Sequence, residues 1–302
     1  MSMMSVPFIA DTAARVMGGL TALAPKTGRR FPEIPGKSER LAVPTRHGDV
    51  ACTLYRPPGG ATAAPPVYLN AHGGGFVIRY PEQDDPLCRF IAHRAGIVVL
   101  NVDYDVAPRV RFPVPVEELY DVAAWASSEE RDWDGARLCI GGQSAGGALS
   151  AAVARLALEN GGPRIALQVL HYAVLDLVTP PSAKRSRAAR PVLRPWMGEM
   201  FHTAYIPDPQ QCRDRLASPV WGPNADGLEG IAPALVITAE LDGLRNEAAA
   251  YARKLDAVGS LAAYREVPGA DHGYDIVGDD EERIRESYGV IVEHVLGATA
   301  AA

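Results

Sequence analysis

Seven short segments of this chain have the make-up of β-strands, and helical spacing fills the intervals between the later ones. The strand candidates are 50–56 (VACTLYR), 66–70 (PVYLN), 97–102 (IVVLNV), 137–141 (RLCIG), 165–170 (IALQVL), 234–239 (ALVITA) and 261–267 (LAAYREV). Helical patterns run near 84–95, 115–128, 146–160, 244–258 and 281–296. Strands that alternate with helices must lie parallel and be covered on both faces, because a helix carries the chain back before the next strand begins. The expectation is an α/β fold with a mostly parallel central sheet flanked by helices. At 302 residues the chain suits one large domain with an insertion.

Two regions stand outside the alternation. Between Asp176 and Pro233 the chain runs through TPPSAKRSRAARP and then Leu193, Trp196, Met197, Met200, Phe201, Ala204 and Tyr205, an apolar face at helical spacing. That length is too great for a plain loop in a compact domain, so an inserted helical cap at about 177–225 is expected, its apolar face serving core, pocket or both. At the other end Ile9, Ala13, Val16, Met17, Leu20 and Leu23 describe an amphipathic helix stopped by Pro25. Residues 26–40, rich in Pro, Gly and charge, read as a linker. The chain divides accordingly into an N-terminal cap helix and linker, 1–40, and a main domain, 41–302.

A net charge of −6 disfavours nucleic acid as the main partner. Cys52, Cys88, Cys139 and Cys212 lie far apart without CxxC spacing, which predicts neither a zinc site nor a disulfide framework and suits a reduced, cytoplasmic setting. No Lys or Arg precedes Arg15, and Asp11 falls where the apolar core of a leader would begin, so a secretory leader is not expected. No uncharged apolar run approaches bilayer length, and stable membrane insertion is not expected either.

The segment RLCIGGQSAGGALS, 137–150, places Ser144 where a strand hands over to a helix. Gly142-Gln143-Ser144-Ala145-Gly146 matches G-x-S-x-G, in which a nucleophile stands on a sharp turn and small neighbours tolerate the crowding. Glycine-rich turns also form simply where a helix packs close to a sheet. A second segment, His72-Gly73-Gly74-Gly75-Phe76, follows the strand PVYLN directly. Its glycines let Gly73, Gly74 and Gly75 turn backbone N–H groups toward a shared point, where with the N–H of Ala145 they would hold a developing oxyanion.

A serine hydroxyl needs a base, and the base needs a carboxylate to orient it. His272, in PGADHGYD, follows the strand at 261–267 and precedes the last helix, so it lies at the same sheet edge as Ser144. His47, His93, His171, His202 and His294 have no such loop context, and His72 belongs to the glycine loop as an orienting residue. For the acid, Asp242 lies just past the strand at 234–239. Asp271 is the rival because it adjoins the histidine, though neighbouring side chains on a loop usually diverge; Glu240 ranks third. The order Ser, Asp, His across successive strands favours Asp242.

Taken together, HGGGF, DYDVAPRVRFP, GQSAGG, LDGLRNEA and DHGYD resemble the hormone-sensitive-lipase family of α/β-hydrolase carboxylesterases, over roughly residues 40–295. The resemblance implies an α/β-hydrolase fold with a cap from N-terminal helices and a late insertion. It also implies an oxyanion hole of Gly74, Gly75 and Ala145, and a histidine at position 72 that is not the base. Three positions depart from the family pattern: Gln143 replaces an acidic residue, Asp105 an arginine, and Asn246 a second acidic residue. All three bear on surrounding charge rather than on the bond-making groups.

The expected activity is hydrolysis of small to medium acyl esters through Ser144, His272 and Asp242, with no metal or organic cofactor. Gly142, Gln143 and Gly146 support the turn; Phe76, Trp196, Met200 and Tyr205 are expected in the substrate pocket. An amidase, deacetylase or lactonase would use the same triad, whereas a small-molecule receptor on this scaffold would not need the histidine. The partner is a small-molecule ester; a homo-oligomer is left open. The run KRSRAARPVLR, 184–194, reads as a solvated cap loop.

Overall fold

A computed structural model describes residues 2–23, 30–36, 38–59 and 64–300. Eight strands make one sheet: β1 (Ser38–Thr45), β2 (Gly48–Tyr55), β3 (Pro66–Ala71), β4 (Val98–Asp103), β5 (Asp134–Gln143), β6 (Ile165–His171), β7 (Ala234–Ala239) and β8 (Leu261–Val267). Their order is β1-β2-β4-β3-β5-β6-β7-β8. β1 and β2 pair antiparallel, as do β2 and β4, and every other neighbour pairs parallel. The helices are α1 (Pro7–Leu23), α2 (Asp85–Ala95), α3 (Val114–Ala126), α4 (Ala145–Asn160), α5 (Pro195–Tyr205), α6 (Arg245–Ala257), α7 (Tyr274–Val277) and α8 (Glu281–Thr299).

The sheet is apolar on both faces because both are covered. On one face Val98, Leu100, Leu138, Ile140 and Val236 pack with α3, α4 and α6. On the other Val99, Cys139, Val169, Leu235 and Ile237 pack with α2 and α8. Every residue of β7 is buried, which is why ALVITA reads as an unbroken apolar run. The cysteines are buried and unpaired. Among the described residues no helix is long and apolar enough to cross a membrane.

The differences from the sequence reading have local causes. β1 begins inside the segment read as linker. SERLAVPT carries charges and a proline, which an edge strand exposed along most of its length tolerates. β5 runs on to Gln143, so the glycines before the serine are the end of a strand. In α1 the packed side is Ala10, Ala13, Ala14 and Met17, while Phe8, Val16 and Leu20 face solvent. The Leu23 side chain, Pro25 and residues 26–29 and 37 of the linker lie outside the described residues. Between β6 and β7 the chain carries α5, which packs against α1.

Parallel strands put the start of every following loop at one edge. β3, β5, β7 and β8 therefore deliver His72, Ser144, Asp242 and His272 to the same rim, where ligands bind in open α/β sheets.

Candidate active site

Ser144 is the hinge between β5 and α4, with φ 52° and ψ −114°, a region that side-chain-bearing residues rarely occupy. The turn is held by its own backbone: Ser144 N donates to His171 O at 2.9 Å, and Ser144 O accepts from Val174 N at 3.2 Å. It also needs its glycines. A Cβ on Gly142 or Gly146 would come within 2.2 or 1.8 Å of the Ala71 carbonyl oxygen, so any larger residue would push β3 away from the helix start.

Ser144 Oγ lies 3.0 Å from His272 Nε2, and His272 Nδ1 lies 2.8 Å from Asp242 Oδ2. With Nδ1 donating to the carboxylate, Nε2 is left to accept the serine proton. Asp242 is itself fixed, because its Oδ1 accepts from Leu244 N at 3.0 Å. Burial pulls the His272 imidazole down, but the charge and hydrogen bond of Asp242, with contributions from Asp271 and Asp275, outweigh it and leave it above its ordinary value. The rival acids point elsewhere. Asp271 Oδ2 accepts from Val192 N at 2.9 Å, and Glu240 Oε2 accepts from Gly269 N at 2.7 Å.

The glycine loop packs against the serine turn. His72 is fully buried, stacks on Tyr104 with ring centres 4.3 Å apart, and places Nδ1 2.6 Å from Gly73 O. Burial pulls its imidazole down to about 4, so it is a neutral strut. Gly75, at φ 62°, lies so close to Phe201 that a Cβ would sit 2.3 Å from the ring. The N–H groups of Gly74, Gly75 and Ala145 donate to no backbone acceptor among the described residues.

These groups open onto a cavity of about 190 Å³ walled mainly by apolar side chains. Phe76 lines it, backed by Tyr205 with rings stacked at 4.0 Å. Trp196, Met200 and Tyr205 do not line it. Residues 193–205 are apolar around most of the helix, so the sequence leaves the rotation of α5 open. The structure turns Met197, Gly198, Phe201 and His202 to the cavity, packs Met200 and Tyr205 into the core and leaves Trp196 exposed.

Lys184, read as part of a solvated loop, lines the cavity and is only 7% exposed, with Nζ 2.6 Å from Glu247 Oε2. His202, passed over for want of a loop, also lines it. Burial and the nearby Lys184 charge hold its imidazole well below its ordinary value, which makes it a neutral hydrogen-bonding group. Gln143, with Gly73, Gly74 and Gly75, lies along the wall, and its Nε2 donates to the buried Asp275 at 2.9 Å. Among the described residues no group of three or more His, Cys, Asp or Glu side chains is arranged to hold a metal ion.

Comparison with known proteins places this geometry. Residues 68–276 match a family described by its alpha/beta hydrolase fold. A carboxylic ester hydrolase of Mycobacterium tuberculosis, LipN, is 35% identical over 251 residues; the match covers 80% of this chain and 65% of that protein. An ethyl acetate hydrolase of Pseudomonas putida is 32% identical over 298 residues, covering 93% and 92%. Among solved structures, an esterase of Pyrobaculum calidifontis superposes with a TM-score of 0.80 at 30% identity, over 100% of this chain and 93% of that one. A thermostable esterase of Pseudomonas putida gives 0.84 at 26%, over 97% and 91%. Sequence relatives and sheet geometry agree: the chain belongs to the hormone-sensitive-lipase-like family of α/β hydrolases.

Proposed function

We propose that this protein is a serine carboxylesterase acting on short acyl esters. The observation that carries the reading is the continuous relay from Ser144 Oγ through His272 to Asp242, at 3.0 and 2.8 Å, beside an apolar cavity. His272 takes the serine proton as Oγ attacks the ester carbonyl, and the imidazolium that forms is held by Asp242. The oxyanion is met by the N–H groups of Gly74, Gly75 and Ala145, with Gly73 shaping the loop; each donor is worth about 3–4 kcal/mol in the transition state. The imidazolium then protonates the leaving alcohol. Water repeats the cycle on the acyl-enzyme, releasing the acid and restoring the serine. Helix α1 and residues of about 177–225 act as the cap, with α5 packing on α1 and closing the cavity. Four buried, unpaired cysteines support a reducing compartment.

Two expectations test this reading. A cavity of about 190 Å³ is below the roughly 300–1,000 Å³ of drug-sized pockets. In a series of p-nitrophenyl esters kcat/KM should therefore peak at short acyl chains and fall as the chain lengthens. No ester turnover across the series, with matched anilides cleaved instead, would replace esterase by amidase. The second concerns pH. His272 must be neutral to act, and its imidazole is held above its ordinary value, so the acid limb of kcat/KM should have its midpoint above about 6.5. A midpoint below that value would contradict the electrostatics of the site.

A further inference from the structure

Gln143 and Asp275 mark a place where this chain departs from the family pattern. An amide stands immediately before the serine, where an acid is usual, and its side chain reaches a carboxylate 132 residues away in sequence. Two oxygens of Asp275 receive three donors: Gln143 Nε2 at 2.9 Å and Tyr288 OH at 3.2 Å on Oδ2, and Tyr172 OH at 2.5 Å on Oδ1. Donors alone converge on it, the arrangement that suits an anion. The Asp275 side chain is wholly buried, and the basic group beside it, His171 Nδ1 at 3.9 Å, is kept neutral by burial.

A buried carboxylate that faces no standing cation is costly unless the fold has a use for it. The cation that forms nearby during turnover is His272. The link runs through Tyr172, whose ring meets that of His272 edge to face with centres 4.9 Å apart. Tyr172 has φ 37°, a strained value for a bulky residue, and holds it while its N–H donates to Ile237 O at 2.7 Å. The strained turns at Ser144 and Tyr172 are tied by the Ser144 N–His171 O bond and meet again at Asp275, one through Gln143 and the other through its own hydroxyl.

We propose that Asp275 is a positioning residue of the hydrolytic centre: it fixes the serine turn through Gln143 and the face of His272 through Tyr172. It also supplies, from the far side of the same hydrogen bond, the negative charge that an acid at position 143 would carry. The inference rests on the triad assigned above. The charged and titratable groups around the dyad are Asp271 on the histidine's own loop, Asp242 after β7, His171 and Tyr172 at the end of β6, Tyr274 on α7, Tyr288 on α8, and Asp84 just before α2. Burial pushes the Asp84 carboxyl well above the usual range, against its hydrogen bond from Asn70 and with help from the Asp275 charge.

The test is the pH profile of kcat/KM for p-nitrophenyl acetate. Removing a negative charge near His272 lowers its pKa, so Asp275→Asn should move the acid limb down by about one unit and cut kcat about tenfold. The double variant Gln143→Glu/Asp275→Asn returns a carboxylate to the other end of the bond and should bring the limb back to its wild-type position. If Asp275→Asn does not fold, Asp275→Ser, with room for a water beneath Tyr172, carries the same readout. A lower melting temperature with an unmoved acid limb would make Asp275 purely structural and overturn the proposal, as would a limb that moves but is not restored in the double variant. Should Ser144→Ala retain full turnover, the triad itself falls and this inference with it.

Discussion

Ser144→Ala should lower kcat for p-nitrophenyl acetate about 10⁶-fold, a loss of about 8 kcal/mol of transition-state stabilisation. The size follows from the relay. Without Oγ, His272 has no alcohol to deprotonate 3.0 Å away, and the remaining machinery can only assist a stray water. Residual hydrolysis above background should persist, because the glycine-loop donors are untouched by the change. The fold should be unaffected: the turn is held by Ser144 backbone bonds to His171 and Val174, which alanine keeps. A fluorophosphonate probe decides the matter, since it labels the wild type covalently and should leave the variant unlabelled. Label at undiminished rate on the alanine variant would put the nucleophile elsewhere.

Asp242→Asn should cost about 10⁴-fold in kcat while Asp271→Asn costs less than about tenfold. Sequence order favours Asp242 over Asp271, and the two carboxylates have different partners. Asp242 Oδ2 takes the Nδ1 proton of His272, and Oδ1 is occupied by Leu244 N. An asparagine that keeps its oxygen on Leu244 N turns its NH₂ toward Nδ1. Then Nδ1 must accept, Nε2 must carry the proton, and the base presents the wrong tautomer to Ser144. Asp271 instead accepts from the backbone of Val192; its loss removes one of the charges that raise the His272 imidazole but leaves the relay to Ser144 intact. Steady-state kinetics of the two variants at one pH above the acid limb suffices. If Asp271→Asn is the more damaging, the acid has been misassigned.

The parts of this molecule that its sequence discloses are those set by local rules. Strands such as ALVITA, buried on both faces, announce themselves as apolar runs. Ser144, Asp242 and His272 each follow a strand, so topology alone brings them to one rim. What stays hidden depends on distant partners or on rotation. β1 carries too much charge to read as a strand because it is an edge. α5 is apolar over most of its surface, so nothing in its spacing told core from cavity, and Trp196, Met200 and Tyr205 were assigned to the wrong face. Lys184 looked solvated because its partner, Glu247, is 63 positions further on (247 − 184). The Gln143–Asp275 pair is legible only as an absence, an amide where an acid is usual; the acid that answers it comes from α7, beyond β8.

The Asp271–Val192 hydrogen bond couples two parts of the site. Val192 lines the cavity, and Asp271 is the immediate neighbour of His272. One wall of the cavity is thereby fastened to the loop that carries the imidazole, so a substitution that displaces either of them bears on the other.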